Sequence, residues 1–218
     1  LVKFVSFLGP EMSKKGVDLY FGTMERPNSK LVDTLLTDPL SRDYIKGVGF
    51  QWAGKDAIAA IHQQYPNLSL YQTEQECGNG YNDWKYCTYA WGLMKHYLNN
   101  GVKAYFYWNI SLKEGGVSTW GWHQNSLVIV DTLHRTYKYS YEYYLMKHLS
   151  HYVKPNAKKI VTKGEFNDLL VFQNPDKSIA ILINNAENQD KTVNIEIDGK
   201  IVAPTLKAQT INTILVTY

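Results

Sequence analysis

An α/β half followed by an all-β half is the fold class this sequence predicts, and three patterns carry the prediction. Up to about residue 135, four apolar runs of strand length alternate with helix-like stretches. Each run is continuously apolar instead of alternating with polar residues, the mark of parallel strands buried on both faces. Beyond that point come short alternating segments divided by turn residues, which describe an antiparallel module of sandwich type.

In chain order, residues 4–8 read as the end of a helix stopped by Gly9-Pro10, as though the chain begins inside a helix. Residues 17–22 are the first strand. Residues 29–36 make a helical turn or two, and Thr37-Asp38-Pro39 is a cap before another helix through Tyr44. Residues 47–52 form the second strand and 56–64 a helix, closed by Tyr65-Pro66-Asn67. The third strand is 68–73, and a long helix over 83–98 ends at Asn99-Asn100-Gly101. Residues 102–109 are the fourth strand. A Tyr-rich last helix covers 137–153, ending at Lys154-Pro155. Strands then follow at 159–162, 169–173, 179–184, 191–197, 200–203 and 210–217, with turns at Asn174-Pro175-Asp176 and Asp198-Gly199. The expected domains are residues 1–152 and 153–218.

Composition removes several function classes. The net charge of +3 comes without a basic run, so nucleic acid is not an expected partner. No stretch is long and apolar enough to be read as a transmembrane helix. The N-terminus has neither an initiator Met nor a signal-peptide layout. The six His are scattered, no Cys lies in a CxxC, and no glycine loop would cradle a phosphate, so no metal or other cofactor is expected. Cys77 and Cys87 could pair or remain free thiols, and their spacing leaves both open. Aromatic residues reach 14%, with 17 Tyr and 6 Trp; such rings fill cores and interfaces, and they also stack on sugars.

The strand ends are more telling. The four runs finish in Glu25-Arg26, Gln51-Trp52, Glu74-Gln75-Glu76 and Trp108-Asn109. In barrels of alternating strands and helices, chemistry sits at the C-terminal strand ends. Glu74 and Glu76 are two apart, so a strand places both on one face, and acids at the end of an apolar strand are costly unless partnered or used. Taken singly, Glu25-Arg26 also fits a surface ion pair, and Trp108-Asn109 a core aromatic with a turn residue.

Residues 35–131 resemble glycoside hydrolase family 30, the family of glucosylceramidases and related β-glycanases. The resemblance rests on Leu36-Thr37-Asp38-Pro39, Gly47-Val48-Gly49-Phe50-Gln51-Trp52, Thr73-Glu74-Gln75-Glu76-Cys77-Gly78, Tyr107-Trp108-Asn109, and Gly115-Gly116 with Trp120 and Ile129-Val130-Asp131. The aromatic helix and the β module extend the likeness over nearly the whole chain. It implies a (β/α)8 barrel fused to a β-sandwich, of which this chain holds barrel strands five to eight and the sandwich. It also implies retaining hydrolysis of β-glycosides, with Glu74 as nucleophile. Gln51, Trp52, Glu25, Arg26, Trp108, Asn109 and Trp120 would line the sugar pocket; human-type glucosylceramidases carry His where this chain has Gln51.

A retaining glycosidase needs two carboxyl groups about 5–5.5 Å apart on opposite sides of the bond. The family's acid/base stands in an Asn-Glu pair on the fourth strand, ahead of the first residue here. Glu76 shares a strand with Glu74, so it fits a supporting role and not the opposing acid. The resemblance therefore implies a β-linked carbohydrate or glycolipid substrate and a glucosylceramidase-like activity in a secreted, periplasmic or lysosomal setting. It further implies dependence on the N-terminal half of the barrel, whether in the same protein, a second chain or a swapped partner. This chain alone is expected to be inactive, and its open sheet edge needs that half as cover. The competing readings are a non-catalytic carbohydrate-binding protein and an inert hydrolase fragment.

Overall fold

The computed structural model describes residues 1–217 as two compact units, residues 1–78 with 96–110, and residues 79–95 with 111 onward. The first unit is a parallel sheet in the order β1-β2-β3-β4. Its strands are Leu19–Met24, Ile45–Gln51, Ser69–Glu74 and Val102–Tyr105. The helices are α1 (Val2–Lys14), α2 (Ser29–Thr37), α3 (Ile58–Gln64) after a 3-10 turn at Trp52–Ala57, and the last turn of α4 (Trp84–Asn99).

Burial explains the apolar runs. Val48 and Phe50 of β2, Leu70 of β3 and Val102 of β4 pack with Val32, Ile58, Ile61 and Tyr97 from the helices in one cluster. Each large aliphatic or aromatic side chain fully buried this way contributes about 1.5–3 kcal/mol. The opposite face carries Tyr20 and Tyr71, which meet edge to face at 5.2 Å, and Thr23 and Thr73, which hydrogen-bond to each other.

Several expected elements differ; the single strand expected at 191–197 is two, 191–192 and 195–197, in separate ribbons. Helix α1 runs through Gly9-Pro10 to Lys14. It ends in a Schellman motif: the Val17 N–H donates to Met12 O and Gly16 N–H to Ser13 O, with Gly16 at φ +66°. That left-handed position after the helix is a stronger stop than an internal proline whose ring the helix can bend around. Residues 39–44 form turns and no helix. Asp38 Oδ1 accepts from Leu40 N–H, and Ser41 donates from its hydroxyl to Leu35 O, capping α2 from outside. The fourth strand stops at Tyr105, leaving Trp108 and Asn109 beyond it. Residues 137–139 belong to a strand, and the last helix starts only at Tyr141.

In the second unit, β5 (Ser111–Lys113), β6 (Val128–Asp131) and β7 (Thr136–Tyr139) form a small sheet. The β6–β7 turn is held by Asp131, whose Oδ1 accepts from Leu133 and His134 N–H. Helix α5 (Tyr141–Tyr152) starts at Ser140, whose hydroxyl oxygen accepts from Tyr143 N–H. Asp83 does the same for α4, accepting from Tyr86 N–H at 2.8 Å.

The sandwich module then has β8 (Lys158–Lys159), β9 (Leu169–Gln173), β10 (Ile179–Asn185), β11 (Lys191–Thr192), β12 (Ile195–Ile197), β13 (Lys200–Val202), β14 (Thr205–Leu206) and β15 (Thr210–Val216). Its main antiparallel sheet has the order β15-β10-β9-β8, and the ribbons β11-β14 and β12-β13 complete it. Every residue of β10 is buried. Ile179, Ile181 and Ile183 share a core with Val193 and Leu206 under the ribbons. Leu182 pairs with Thr213, whose hydroxyl meets His148 Nδ1 of α5 at 2.8 Å, so α5 covers the other face.

Candidate active site at the strand ends

The C-terminal ends of β2 and β3 are adjacent, and Gln51 is paired in register with Glu74. Immediately after Gln51 the chain turns into the 3-10 segment, and Trp52 takes φ +46°, an uncommon conformation for a bulky residue and a cost of about 1–3 kcal/mol. Two contacts hold it. Lys55 Nζ donates to Trp52 O at 3.2 Å. Gly54 packs so closely on the end of β1 that a Cβ there would lie 1.8 Å from Met24 O. The result points the Trp52 indole N–H at Glu74 Oε1, 3.0 Å away.

Glu76 lies next to this pair. Its Oε1 accepts from Lys55 Nζ at 2.9 Å, with about a fifth of each side chain exposed. The backbone carbonyl of Lys55 is itself bound by His96 Nε2 of α4 at 2.9 Å. Between the two acids, Gln75 turns inward, and its Oε1 accepts from Tyr105 OH at 3.0 Å. Where β4 has ended, the fully buried Gln72 amide continues the ladder: its Nε2 donates to Phe106 O and its Oε1 accepts from Phe106 N–H. That clamp sets the direction of the segment leading to Trp108 and Asn109.

The structure thus joins Gln51, Trp52, Glu74 and Glu76 in one cluster. Glu25 and Arg26 follow β1 directly but are exposed, and their ion pair of 3.6 Å is with each other. Trp108 is half-exposed, beyond β4. Trp120 lies in the second compact unit, 77% exposed, its ring 6.0 Å from that of Trp122. Both cysteines are free and buried; burial, with the charge of Glu142 adding, pushes the Cys87 thiol up to about 12. Among the described residues no His/Cys/Asp/Glu group is placed to hold a metal, and no helix is long and apolar enough to cross a membrane.

Sequence reasoning missed Lys55, Gly54, Gln72 and Tyr105. The signal for the first two was local, a glycine and a cation within three residues of Trp52, but the partners at Met24 and Glu76 come from other strands. The buried oxygen Gln51 Oε1 has no hydrogen-bond partner among the described residues, so its acceptor capacity is unused there.

The glycosyl hydrolase family 30 TIM-barrel domain matches residues 8–153, and the family 30 beta sandwich domain matches residues 156–214. The chain belongs to glycosyl hydrolase family 30. Family 30 enzymes are glycosidases, and their barrel-plus-sandwich architecture is the one described above, with the barrel represented by four of its strands. A curated relative, putative glucosylceramidase 1 of Caenorhabditis elegans, is 26% identical over 200 residues, covering 82% of this chain and 38% of the relative. Among solved structures, SrfJ from Salmonella typhimurium superposes with a TM-score of 0.82 at 21% identity, covering 98% of this chain and 51% of that one. The endo-β1,6-glucanase BT3312 gives 0.81 at 21% identity, covering 97% and 52%. The family 30 xylanase Xyn30A from Clostridium acetobutylicum gives 0.72 at 15%, covering 98% and 59%. The chain therefore spans about half the length of these structures and less of the curated relative.

Proposed function

We propose that this chain is part of a retaining β-glycoside hydrolase in which Glu74 is the nucleophile. The observation that carries the reading is the Trp52–Glu74 hydrogen bond at a barrel strand end. An indole N–H on one carboxylate oxygen orients the group and leaves the other oxygen to attack an anomeric carbon. Attack forms a glycosyl–enzyme ester and expels the leaving oxygen, which takes a proton from a general acid; the same group, now a base, activates the water that cleaves the ester. Glu76 is a support, because its oxygen is engaged by Lys55 and it approaches from the same strand as Glu74. The acid/base is a carboxyl group outside residues 1–218, in the N-terminal half of the barrel, and these residues alone do not turn over substrate.

The substrate is a β-linked glycan or glycolipid. Names of similar proteins, a putative glucosylceramidase, an endo-β1,6-glucanase and a xylanase, support that class without choosing within it. Gln51, Trp52, Trp108 and Asn109 are proposed to line the sugar, with Gln51 Oε1 accepting from a hydroxyl, and Glu25, Arg26 and Trp120 to contact substrate further out. A panel of aryl β-glycosides, assayed on a polypeptide that includes the N-terminal half, tests this. Turnover of glucosides is expected; cleavage of xylosides alone would reassign the enzyme to β-xylosides, and cleavage of none would favour a carbohydrate-binding role.

A further inference from the structure

A single ammonium group touches both neighbours of Glu74. Lys55 Nζ donates to Trp52 O at 3.2 Å, and Trp52 is the residue whose indole N–H bonds Glu74 Oε1. The same Nζ donates at 2.9 Å to Oε1 of Glu76, the acid two residues after Glu74. Lys55 is itself fixed from behind, because its carbonyl is held by His96 Nε2 at 2.9 Å. The ion pair is also shielded, with 24% of the Lys55 side chain and 19% of the Glu76 side chain exposed. Solvent and salt screen such charges less than charges on an open surface. Any further cover over this strand end would remove more water and strengthen the interaction.

A carboxylate attacks as the anion, and a second negative charge nearby favours its protonation. Two residues of chain span at most about 7 Å, close enough for an uncompensated carboxylate at position 76 to be felt at position 74. The Lys55 ammonium cancels that charge. No other ionisable group at this end does so. Asp56 is exposed in the 3-10 segment, and Glu25 and Arg26 form an exposed pair of opposite charge. Gln51 and Trp52 carry no charge, the Tyr105 hydroxyl of β4 bonds Gln75, and Cys77 is a buried free thiol. His96 of α4 meets the carbonyl of Lys55 and not its ammonium.

We infer that Lys55 is a positioning residue for the nucleophile: it neutralises Glu76, so that Glu74 stands beside a balanced pair, and it fixes the turn that aims the Trp52 indole at Glu74. The inference rests on Glu74 as nucleophile and adds the group that sets the charge around it. A structural brace would need only the contact with Trp52 O. The second contact, to a carboxylate two residues from Glu74, gives the lysine an electrostatic role that a neutral donor could not fill.

The test is the pH dependence of kcat/KM for an aryl β-glycoside, measured on a polypeptide joining these residues to the N-terminal half. The acid limb of that profile follows the groups that must be ionised in the free enzyme. Lys55→Met leaves Glu76 uncompensated, and the acid limb should move up by about 0.5–1 pH unit. Glu76→Gln leaves the ammonium uncompensated and should move the limb down by a similar amount. The double variant, Lys55→Met with Glu76→Gln, removes both charges and should return the limb to the parent position. Lys55→Arg keeps the charge and should leave the limb in place even where kcat falls. Loss of packing alone lowers kcat without moving the limb in opposite directions for the two single variants. A limb unmoved by Lys55→Met, or moved the same way by both single variants, would overturn the inference. Glu74→Gln separates the two levels. If it is inactive while the limbs stay fixed, only the role of Lys55 fails; if it turns over substrate at the parent rate, the nucleophile assignment fails.

Discussion

Replacing Asp168 by alanine removes the acceptor for three donors at once. Its Oδ1 takes hydrogen bonds from Trp91 Nε1 at 2.7 Å and Lys95 Nζ at 2.5 Å, both on α4. Its Oδ2 takes one from Asn184 Nδ2 of β10 at 2.7 Å. Lys95 is partly exposed and can turn to water, so its loss is small. Trp91 and Asn184 are 2% and 3% exposed and cannot rehydrate without local opening. Each buried donor left without an acceptor costs about 1–3 kcal/mol, so with two of them Asp168→Ala should lose about 2–6 kcal/mol. Asp168→Asn keeps one oxygen for Trp91 or Asn184 and should lose about half of that. Urea unfolding of the chain followed by circular dichroism measures both. A loss below about 0.5 kcal/mol for Asp168→Ala, the level of an ordinary surface change, would refute the claim that this carboxylate ties α4 to the sandwich sheet.

Gly54→Ala forces a methyl into the Met24 carbonyl, and overpacking against backbone costs about 1–3 kcal/mol or more. Because Gly54 holds the Trp52 turn, the indole signal of Trp52 should also shift; an unchanged signal and stability would show that the turn tolerates the methyl. Glu142 has its carboxyl pKa raised, mainly by burial, with Asp83 adding repulsion and Asn125 opposing. The folded state therefore holds this proton to higher pH than the unfolded one, so the stability Glu142 confers is complete below its ordinary value of 4.5 and declines as pH rises through the raised value. Glu142→Gln removes that titration, and its stability relative to the parent should increase with pH over this window. The neighbouring Cys87 thiol, pushed up to about 12, stays neutral throughout. Urea midpoints that change in parallel for both proteins would contradict the assignment.

The elements most legible in the sequence were those whose burial is two-sided. Residues 47–50 and 179–183 carry no charged side chain and are buried throughout because both faces are covered, and no local signal competes with that pattern. Elements decided by a distant partner were not legible. The Tyr137-Lys138-Tyr139 run fits a helix by composition, yet it pairs with β6 across a four-residue turn that Asp131 organises. Gly9-Pro10 carries a local stop signal that α1 ignores, because Gly9 permits close contact with Tyr44. At the site, two acids two residues apart on a strand end were visible as a pattern. Lys55, which engages one of them, was hidden, since its pairing depends on a 3-10 turn that places residue 55 opposite residue 76.

The central claim is that Glu74 attacks the sugar. A 2-fluoro-β-glycoside with a good leaving group forms a glycosyl ester too slow to hydrolyse, and it can be applied to a polypeptide joining these residues to the N-terminal half. Peptide mass mapping should then find the fluorosugar on Glu74, with none after Glu74→Gln. A label on Glu76, or on a carboxylate outside this strand end, would contradict the account.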